Sequence, residues 1–243
     1  MLLFEVPGSN GEAYHPRIDF LKISSFLELD DDTRHRLEDL YNDYFYHRQE
    51  DFWREEALRK LPAIKRATNM LICGEDLGMV PACVPGVMHD LGFLTLEIQR
   101  MSKNPQTEFL QSADIPYWSV CSPSTHDMSP LRLWWEECDE GQRQRFYNQE
   151  LGQSGIAPAG LEPYLAQGIL QQHLNYPGMW VVFPMQDILA ISWELRSSDP
   201  AEERINVPAN PQHYWRYRLH LTLEDLIAAN DFNVGFGKLV GGR

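Results

Sequence analysis

Short apolar runs alternate with longer segments of helical period through most of this chain. Met70–Gly74, Phe93–Ile98, Trp118–Cys121 and Met179–Phe183 are continuous apolar or small-residue runs, the pattern of strands buried on both faces in a parallel sheet. Helical spacing occupies Val84–Leu91, Leu131–Tyr147 and Leu161–Leu174, and Leu223–Asn230 closes the chain. Strands alternating with helices predict a parallel α/β sheet wrapped by helices. Ahead of it, Asp31, Asp32 and Thr33 precede apolar positions at Leu37, Leu40, Tyr41, Tyr44 and Phe45, so Asp30–Lys60 predicts an amphipathic helix pair covering a core. Leu2–Val6 is a weaker strand candidate. No internal repeat, linker or domain boundary interrupts the sequence. A closed (β/α)8 barrel needs eight strands, so the pattern leaves a small open sheet or a part of a barrel.

Charge narrows the partners. Lys plus Arg number 21 and Asp plus Glu 35, a net charge of −14, which repels phosphate backbones and anionic lipid surfaces. The longest apolar runs, such as Met179–Met185, fall far short of the ~20 residues a membrane helix requires. The opening MLLFEVPGSNGEAYHPR has no basic segment ahead of its apolar stretch and no small-residue cleavage site, which points to a cytoplasmic protein. Cys73, Cys83, Cys121 and Cys138 form no CxxC pair and are expected to be buried, reduced thiols rather than a disulfide framework or zinc site.

Candidate chemistry lies just past the predicted strands. Met70–Gly74 runs into Glu75-Asp76, Trp118–Cys121 into Ser124-Thr125-His126-Asp127, and Met179–Phe183 into Pro184-Met185-Gln186-Asp187. Carboxylates at the C-terminal ends of parallel strands lie where α/β folds place their active sites, although one such acid alone can simply cap the next helix. Paired carboxyl groups facing one cleft suit glycosidic chemistry: one donates a proton to the leaving oxygen while others stabilise an oxocarbenium-like transition state. Glu75, following an apolar strand, is the acid candidate, and Asp127, beside His126, the sugar-hydroxyl acceptor. Trp118, Trp134, Trp135 and Trp180 lie near the strand ends, where rings stack on sugars or fill the core.

The segments LICGEDLGMVP, GFLTLEIQRM, SVCSPSTHDMSPLRLWWEE, FPMQDILAI and RINVPANPQHYWRYRLHLTLEDL together closely resemble glycoside hydrolase family 77, the amylomaltases or disproportionating enzymes (4-α-glucanotransferases), and within it the larger plant-type members. The likeness runs from about Glu5 to Asp225. It implies that the four predicted strands are strands 5 to 8 of a (β/α)8 barrel, that residues 1–243 are the C-terminal part of that barrel, and that 1–69 form a mostly helical lead-in. It also implies that Glu75 is the catalytic acid/base, Asp127 the transition-state-stabilising carboxylate and His126 a contact to the sugar at the scissile bond. Asp187, with Gln186, matches the strand-8 segment, as a substrate contact or as a helix cap, and Asn206 matches the late active-site loop as a substrate contact. The implied substrates are α-1,4-glucans or maltooligosaccharides, with no metal or organic cofactor. Arg204, Arg216 and Arg218 are expected in salt bridges rather than in a basic patch.

The family's nucleophilic Asp lies after strand 4 in an Arg-Ile-Asp-His-x-Arg-Gly motif. Arg17-Ile18-Asp19-Phe20-Leu21-Lys22-Ile23 shares the first three residues but none of the rest, and follows His15-Pro16 rather than a buried strand. Asp19 is therefore expected to be a surface or turn residue. A barrel lacking strands 1 to 4 would expose open sheet edges prone to self-association. Two other readings stay open: a retaining α-glucosidase or amylase-type hydrolase, which uses the same carboxylates, and a non-catalytic glycan-binding or structural fragment.

Overall fold

A computed structural model describes residues 1–78 and 80–242 of the chain. They fall into two compact units, Met1–Met70 with Met79–Leu91, and Leu71–Gly78 with Gly92–Arg243.

In the first unit, strands β1 (Leu3–Glu5) and β2 (Tyr14–Pro16) pair antiparallel, with Leu3 opposite Pro16 and Glu5 opposite Tyr14. The Leu2–Val6 candidate is thus a strand, but of a small two-stranded sheet separate from the parallel one. The connecting turn needs glycine, since Gly8 and Gly11 both adopt φ +82°, a conformation costly for residues with a Cβ. The Asp30 carboxylate accepts the Thr33 amide at 2.9 Å and starts the helix Asp31–Asp43, as an N-cap should. The expected helix pair is continuous: a widened π turn, Tyr44–Arg48, joins it to Gln49–Ala67. Phe20, Phe26 and Tyr41 form the core beneath it. The helix Val84–Leu91 has the limits expected from the pattern. Both oxygens of Glu50 accept amides at its start, Ala82 and Cys83 at 2.7 Å each, and Lys65 Nζ donates to the Leu91 carbonyl at its end. An anion at the N-terminus and a cation at the C-terminus complement the helix dipole.

The second unit is built on three parallel strands, β3 (Thr95–Ile98), β4 (Ser119–Ser122) and β5 (Trp180–Val181), in the order β3-β4-β5. Thr95 pairs with Ser119 and Val120 with Trp180. The predicted strand Met70–Gly74 contributes only a parallel bridge, Cys73 with Leu94, closed by Gly74 N to Leu94 O and Leu94 N to Ile72 O at 2.9 Å each. This segment is paired on one side alone among the described residues, and Leu71 stays 52% exposed. The helix expected over Leu131–Tyr147 is broken into Leu131–Glu137 and Glu140–Arg145. Asp139 breaks it, because its carboxylate accepts the Gln142 amide at 2.9 Å and caps a new helix. Pro163–Leu174 and Leu223–Ala228 follow near their predicted positions, and a further helix, Asn230–Val240, ends the described chain. Leu131, Trp135, Phe146, Leu165, Ile169 and Leu170 pack as one apolar cluster.

Trp135 is fully buried and donates its indole N–H to Pro158 O at 2.9 Å, so it belongs to the core and not to a ligand cleft. The cysteine expectation needs correction too: none of the four is in a disulfide, but only Cys121 is buried, and Cys73 on the one-sided edge segment is exposed. Gly178, ahead of β5, lets two strands approach, since a Cβ there would lie 2.6 Å from Ser119 Oγ and 2.7 Å from Cys121 Sγ.

His173 is fully buried in the helix Pro163–Leu174, and its Nδ1–H donates to the Ile169 carbonyl at 2.8 Å. Burial pushes its pKa down to about 4. The unfolded chain takes up this proton near pH 6.5 and the folded chain only near 4, so stability is lost as pH falls through that window. Asp187 and Glu203, whose pKa values burial raises, act in the opposite direction. The difference in unfolding free energy between wild type and His173→Gln isolates the imidazole, and it is expected to shrink by about 3 kcal/mol between pH 7 and 4 in urea titrations.

Candidate active site

The site is assembled around the loop between β4 and the helix Leu131–Glu137. Arg100, two residues past β3, reaches into this loop: Nε and Nη2 donate to Pro123 O at 3.1 and 2.9 Å, and Nη2 also to Ser124 Oγ at 2.7 Å and Ser129 O at 2.9 Å. Its guanidinium lies 4.9 Å from the centre of the Trp134 ring, a cation–π contact. Burial brings the Arg100 pKa down to about 10, with Asp187 the main opposing charge. The side chain nonetheless stays charged at neutral pH. Arg100 thus holds both ends of the turn that carries His126 and Asp127.

Asp127, five residues beyond β4, is exposed. Its Oδ1 accepts Asn206 Nδ2 at 2.6 Å and its Oδ2 lies 3.2 Å from His126 Nε2. Trp215 closes the group, its ring centre 5.1 Å from that of His126, with the residue itself 60% exposed. Arg204 fixes the Asn206 segment: Nε donates to the Asn206 carbonyl at 3.1 Å and Nη1 to Glu137 Oε1 at 3.0 Å. Glu137 also accepts the Ser129 hydroxyl. The expected salt bridge therefore exists for Arg204, whereas Arg216 lies over the Tyr214 ring at 5.0 Å and Arg218 donates to the Tyr217 carbonyl.

Glu75 lies two residues past the Cys73 bridge, exposed, with Oε1 accepting the Leu77 amide at 3.0 Å. Asp127 follows the C-terminal end of β4, whereas Glu75 follows only the isolated parallel bridge that Cys73 makes with Leu94 beside β3. Among the described residues, no hydrogen bond joins Glu75 to the Asp127 group. Next to it, Asp76 is buried: Oδ1 accepts the Leu96 amide at 2.9 Å and Oδ2 the Lys103 ammonium at 2.8 Å.

Asp187 is placed differently from the expected sugar contact. It is fully buried, and its Oδ1 accepts the Leu131 amide at 2.8 Å, capping the helix that leaves the Asp127 loop. Burial raises its pKa, against the Leu131 amide and the Ser124 hydroxyl. Gln186 is buried beside it and donates to the Glu203 carbonyl. Asp19, in the first unit, adopts φ +58° at a turn and pairs with Lys22 at 3.2 Å; it follows β2 of the antiparallel pair, not a parallel strand. Of the four tryptophans first considered, Trp118 and Trp180 are exposed at 41% and 54%. Sequence reasoning missed Arg100, Lys103 and Trp215. The first two could have been found as basic residues closely following a predicted strand; Trp215 carries no local signal.

The profile of the 4-alpha-glucanotransferase family, glycoside hydrolase family 77, matches residues 6–223. The chain belongs to this family. It is 44% identical over 227 residues to the 4-alpha-glucanotransferase DPE2 of rice (Oryza sativa subsp. japonica), an alignment spanning 93% of this chain and 24% of that protein. It is 31% identical over 179 residues to the 4-alpha-glucanotransferase of Chlamydia muridarum, covering 71% of this chain and 33% of the relative. The chain thus spans about a quarter to a third of the curated relatives it matches. Among solved structures, amylomaltase from Streptococcus agalactiae in complex with acarbose superposes with a TM-score of 0.57 at 17% identity, over 75% of this chain and 34% of that one. That likeness shows a shared α/β fold. In this 4-alpha-glucanotransferase-family chain, no helix of the described residues is long and apolar enough to cross a membrane.

Replacing Arg100 by Met would strand the Pro123 and Ser129 carbonyls. The expected loss is about 2–4 kcal/mol in urea unfolding. Arg100→Lys is expected to recover only part of it, because one ammonium cannot reproduce the planar fork.

Proposed function

We propose that this chain supplies the acid/base and transition-state-stabilising half of the active site of a 4-α-glucanotransferase that moves α-1,4-glucan segments between maltooligosaccharides. The reading rests above all on Asp127, held by Asn206 at 2.6 Å beside His126 at the C-terminal side of a parallel sheet, inside the segment that matches the family. The sheet order β3-β4-β5, extended by the Cys73 bridge, fits strands 5 to 8 of a (β/α)8 barrel. The remaining strands and the nucleophilic carboxylate would then lie outside these residues, and Asp19, turned onto Lys22, does not stand in for it.

In this reading the nucleophile attacks the anomeric carbon while Glu75 protonates the departing 4-oxygen, giving a covalent glucosyl-enzyme. Glu75 then takes the proton from the 4-hydroxyl of an acceptor glucan as it displaces the enzyme carboxylate with net retention. Asp127 binds hydroxyls of the donor sugar more tightly as the ring flattens, so it acts on the transition state more than on the ground state. His126, steadied by Trp215, contacts the same sugar, and Asn206 fixes the Asp127 rotamer. Asp187 acts one step back by capping the helix behind the loop.

Two outcomes follow. In the enzyme carrying this chain, Glu75→Gln and Asp127→Asn are each expected to reduce maltotriose disproportionation by at least about 10²–10⁴-fold with the far-ultraviolet circular dichroism unchanged, because both side chains are exposed. Product chromatography that finds glucose alone, without a ladder of longer glucans, would replace the transferase reading with a hydrolase. The isolated chain is expected to self-associate in light scattering, since β5 pairs with β4 alone among the described residues and its Trp180 and the following Val182 are 54% and 55% exposed. Unpaired apolar edges favour association, and a stable monomer would count against the half-barrel.

A further inference from the structure

Behind Glu75 lies a polar cluster that the proposed chemistry does not use. Asp76 and Glu97 are both buried, with side-chain exposures of 4% and 5%, and one ammonium serves both: Lys103 Nζ is 2.8 Å from Asp76 Oδ2 and 2.8 Å from Glu97 Oε1. Glu97 also accepts the Thr95 hydroxyl at 3.0 Å on the same face of β3. Asp76 spends its other oxygen on the Leu96 amide at 2.9 Å. Two buried carboxylates sharing one cation are an expensive arrangement for stability alone, since apolar residues of similar size would pack there without the desolvation cost. The arrangement does, however, fix one thing: the residue adjacent to Glu75 is tied to β3 through both of its carboxylate oxygens. The segment carrying Glu75 is otherwise anchored to the sheet by the Cys73 bridge, so its position past that bridge depends on Asp76.

The geometry points to Lys103 as the positioning residue of the acid/base: by bridging Asp76 to Glu97 it holds the Glu75 segment against β3, and without it Glu75 no longer meets the leaving oxygen. This rests on the reading of Glu75 given above. Lys103 touches no substrate, and its effect must therefore appear only in steps that need the Glu75 proton. With maltotriose the bond from the anomeric carbon to the leaving 4-oxygen breaks as that oxygen takes the proton from Glu75. With α-maltosyl fluoride the carbon–fluorine bond breaks and fluoride departs without a proton. The ratio kcat/KM reports the steps up to formation of the glycosyl-enzyme.

In the enzyme carrying this chain, Lys103→Met is expected to lower kcat/KM for maltotriose by about 10²-fold, the cost of a misplaced catalytic group, and to leave kcat/KM for α-maltosyl fluoride within a few-fold of wild type. Lys103→Arg is expected to restore maltotriose turnover. Should Lys103→Met fold poorly with two unpaired carboxylates, Lys103→Met with Glu97→Gln removes the excess charge and carries the same expectation. Equal losses on both substrates make Lys103 a structural residue and overturn the inference, as does an unchanged rate on maltotriose. Glu75→Gln is the control: if it fails to separate the two substrates, the reading of Glu75 falls, and if it separates them while the Lys103 variants do not, only the inference about Lys103 falls. In the 243-residue chain itself, Lys103→Met is expected to speed exchange of the Leu96 amide with that of Ile169 unaltered, and unaltered exchange at Leu96 would overturn the link from Lys103 to Asp76.

Discussion

The guanidinium of Arg100 is the contact on which the Asp127 side of the site depends. A loop of eight residues between a strand and a helix has backbone carbonyls that neither element can satisfy, and buried carbonyls must find donors. Arg100 gives donors to Pro123 and Ser129 at the two ends of the turn and to the Ser124 hydroxyl, while the Trp134 ring covers its plane. A planar fork with fixed donor directions sets the width of the turn as well as satisfying it. His126 and Asp127 sit between those two anchor points, and their exposure to solvent is compatible with order because the segments on both sides are held from beneath. Asp187 completes the arrangement from the other end, by capping the first turn of the helix Leu131–Glu137 and placing a negative charge near Arg100.

The same device recurs under each part of the candidate site. Arg132 and Glu203 form a buried pair at 2.9 Å, and Arg132 also donates to the Ser197 carbonyl, tying the segment before Asn206 to the helix after the Asp127 loop. Lys103 joins Asp76 and Glu97 beneath Glu75. Buried ion pairs are poor sources of net stability compared with apolar packing, but breaking one is costly because a charge is left unpaired. Loops fastened this way have few alternative positions. The apolar cluster of Leu131, Trp135, Phe146 and Ile169 holds the unit together, whereas the ionic contacts set where its exposed carboxylates stand.

What could be read from the sequence divides along physical lines. Parallel strands are buried on both faces, so Phe93–Ile98 and Trp118–Cys121 announce themselves as apolar runs, and an acid just past such a run is conspicuous. Glu75 and Asp127 stand out as candidates for that reason, and the family motifs sharpen the choice. Asp187 follows the same rule but points inward: local sequence cannot tell a carboxylate that faces a cleft from one that accepts the Leu131 amide, 56 positions away. Met70–Gly74 has strand composition, yet a strand also needs a neighbour, and only Cys73 finds one in the described residues. The break at Cys138-Asp139 was written in the sequence, since an aspartate three residues ahead of Gln142 is a capping signal; the apolar period on either side concealed it. Arg100 and Lys103 stand out only as basic residues past a predicted strand; their partners were not legible, because such a residue has none until the loops of other elements arrive.

These distinctions bear on how such a site tolerates being divided. In the described residues, Asp127 takes its hydrogen-bond partners from the second unit alone, and Asp76 does likewise. The rotamers that the proposed transition-state binding needs are therefore set by contacts internal to this unit. A preorganised carboxylate loses little freedom when substrate arrives, which is where electrostatic catalysis gains its advantage. The proposed nucleophile stands under a different constraint, because a covalent step demands that it meet the anomeric carbon from the face opposite the Glu75 proton. In the proposed half-barrel reading, positioning of that kind relates two halves of a barrel and cannot be stored in one of them. On the proposed reading, the division of labour at the active site would coincide with a division in the fold: proton transfer and charge stabilisation would rest on hydrogen bonds within this unit, and bond formation on closure of the sheet.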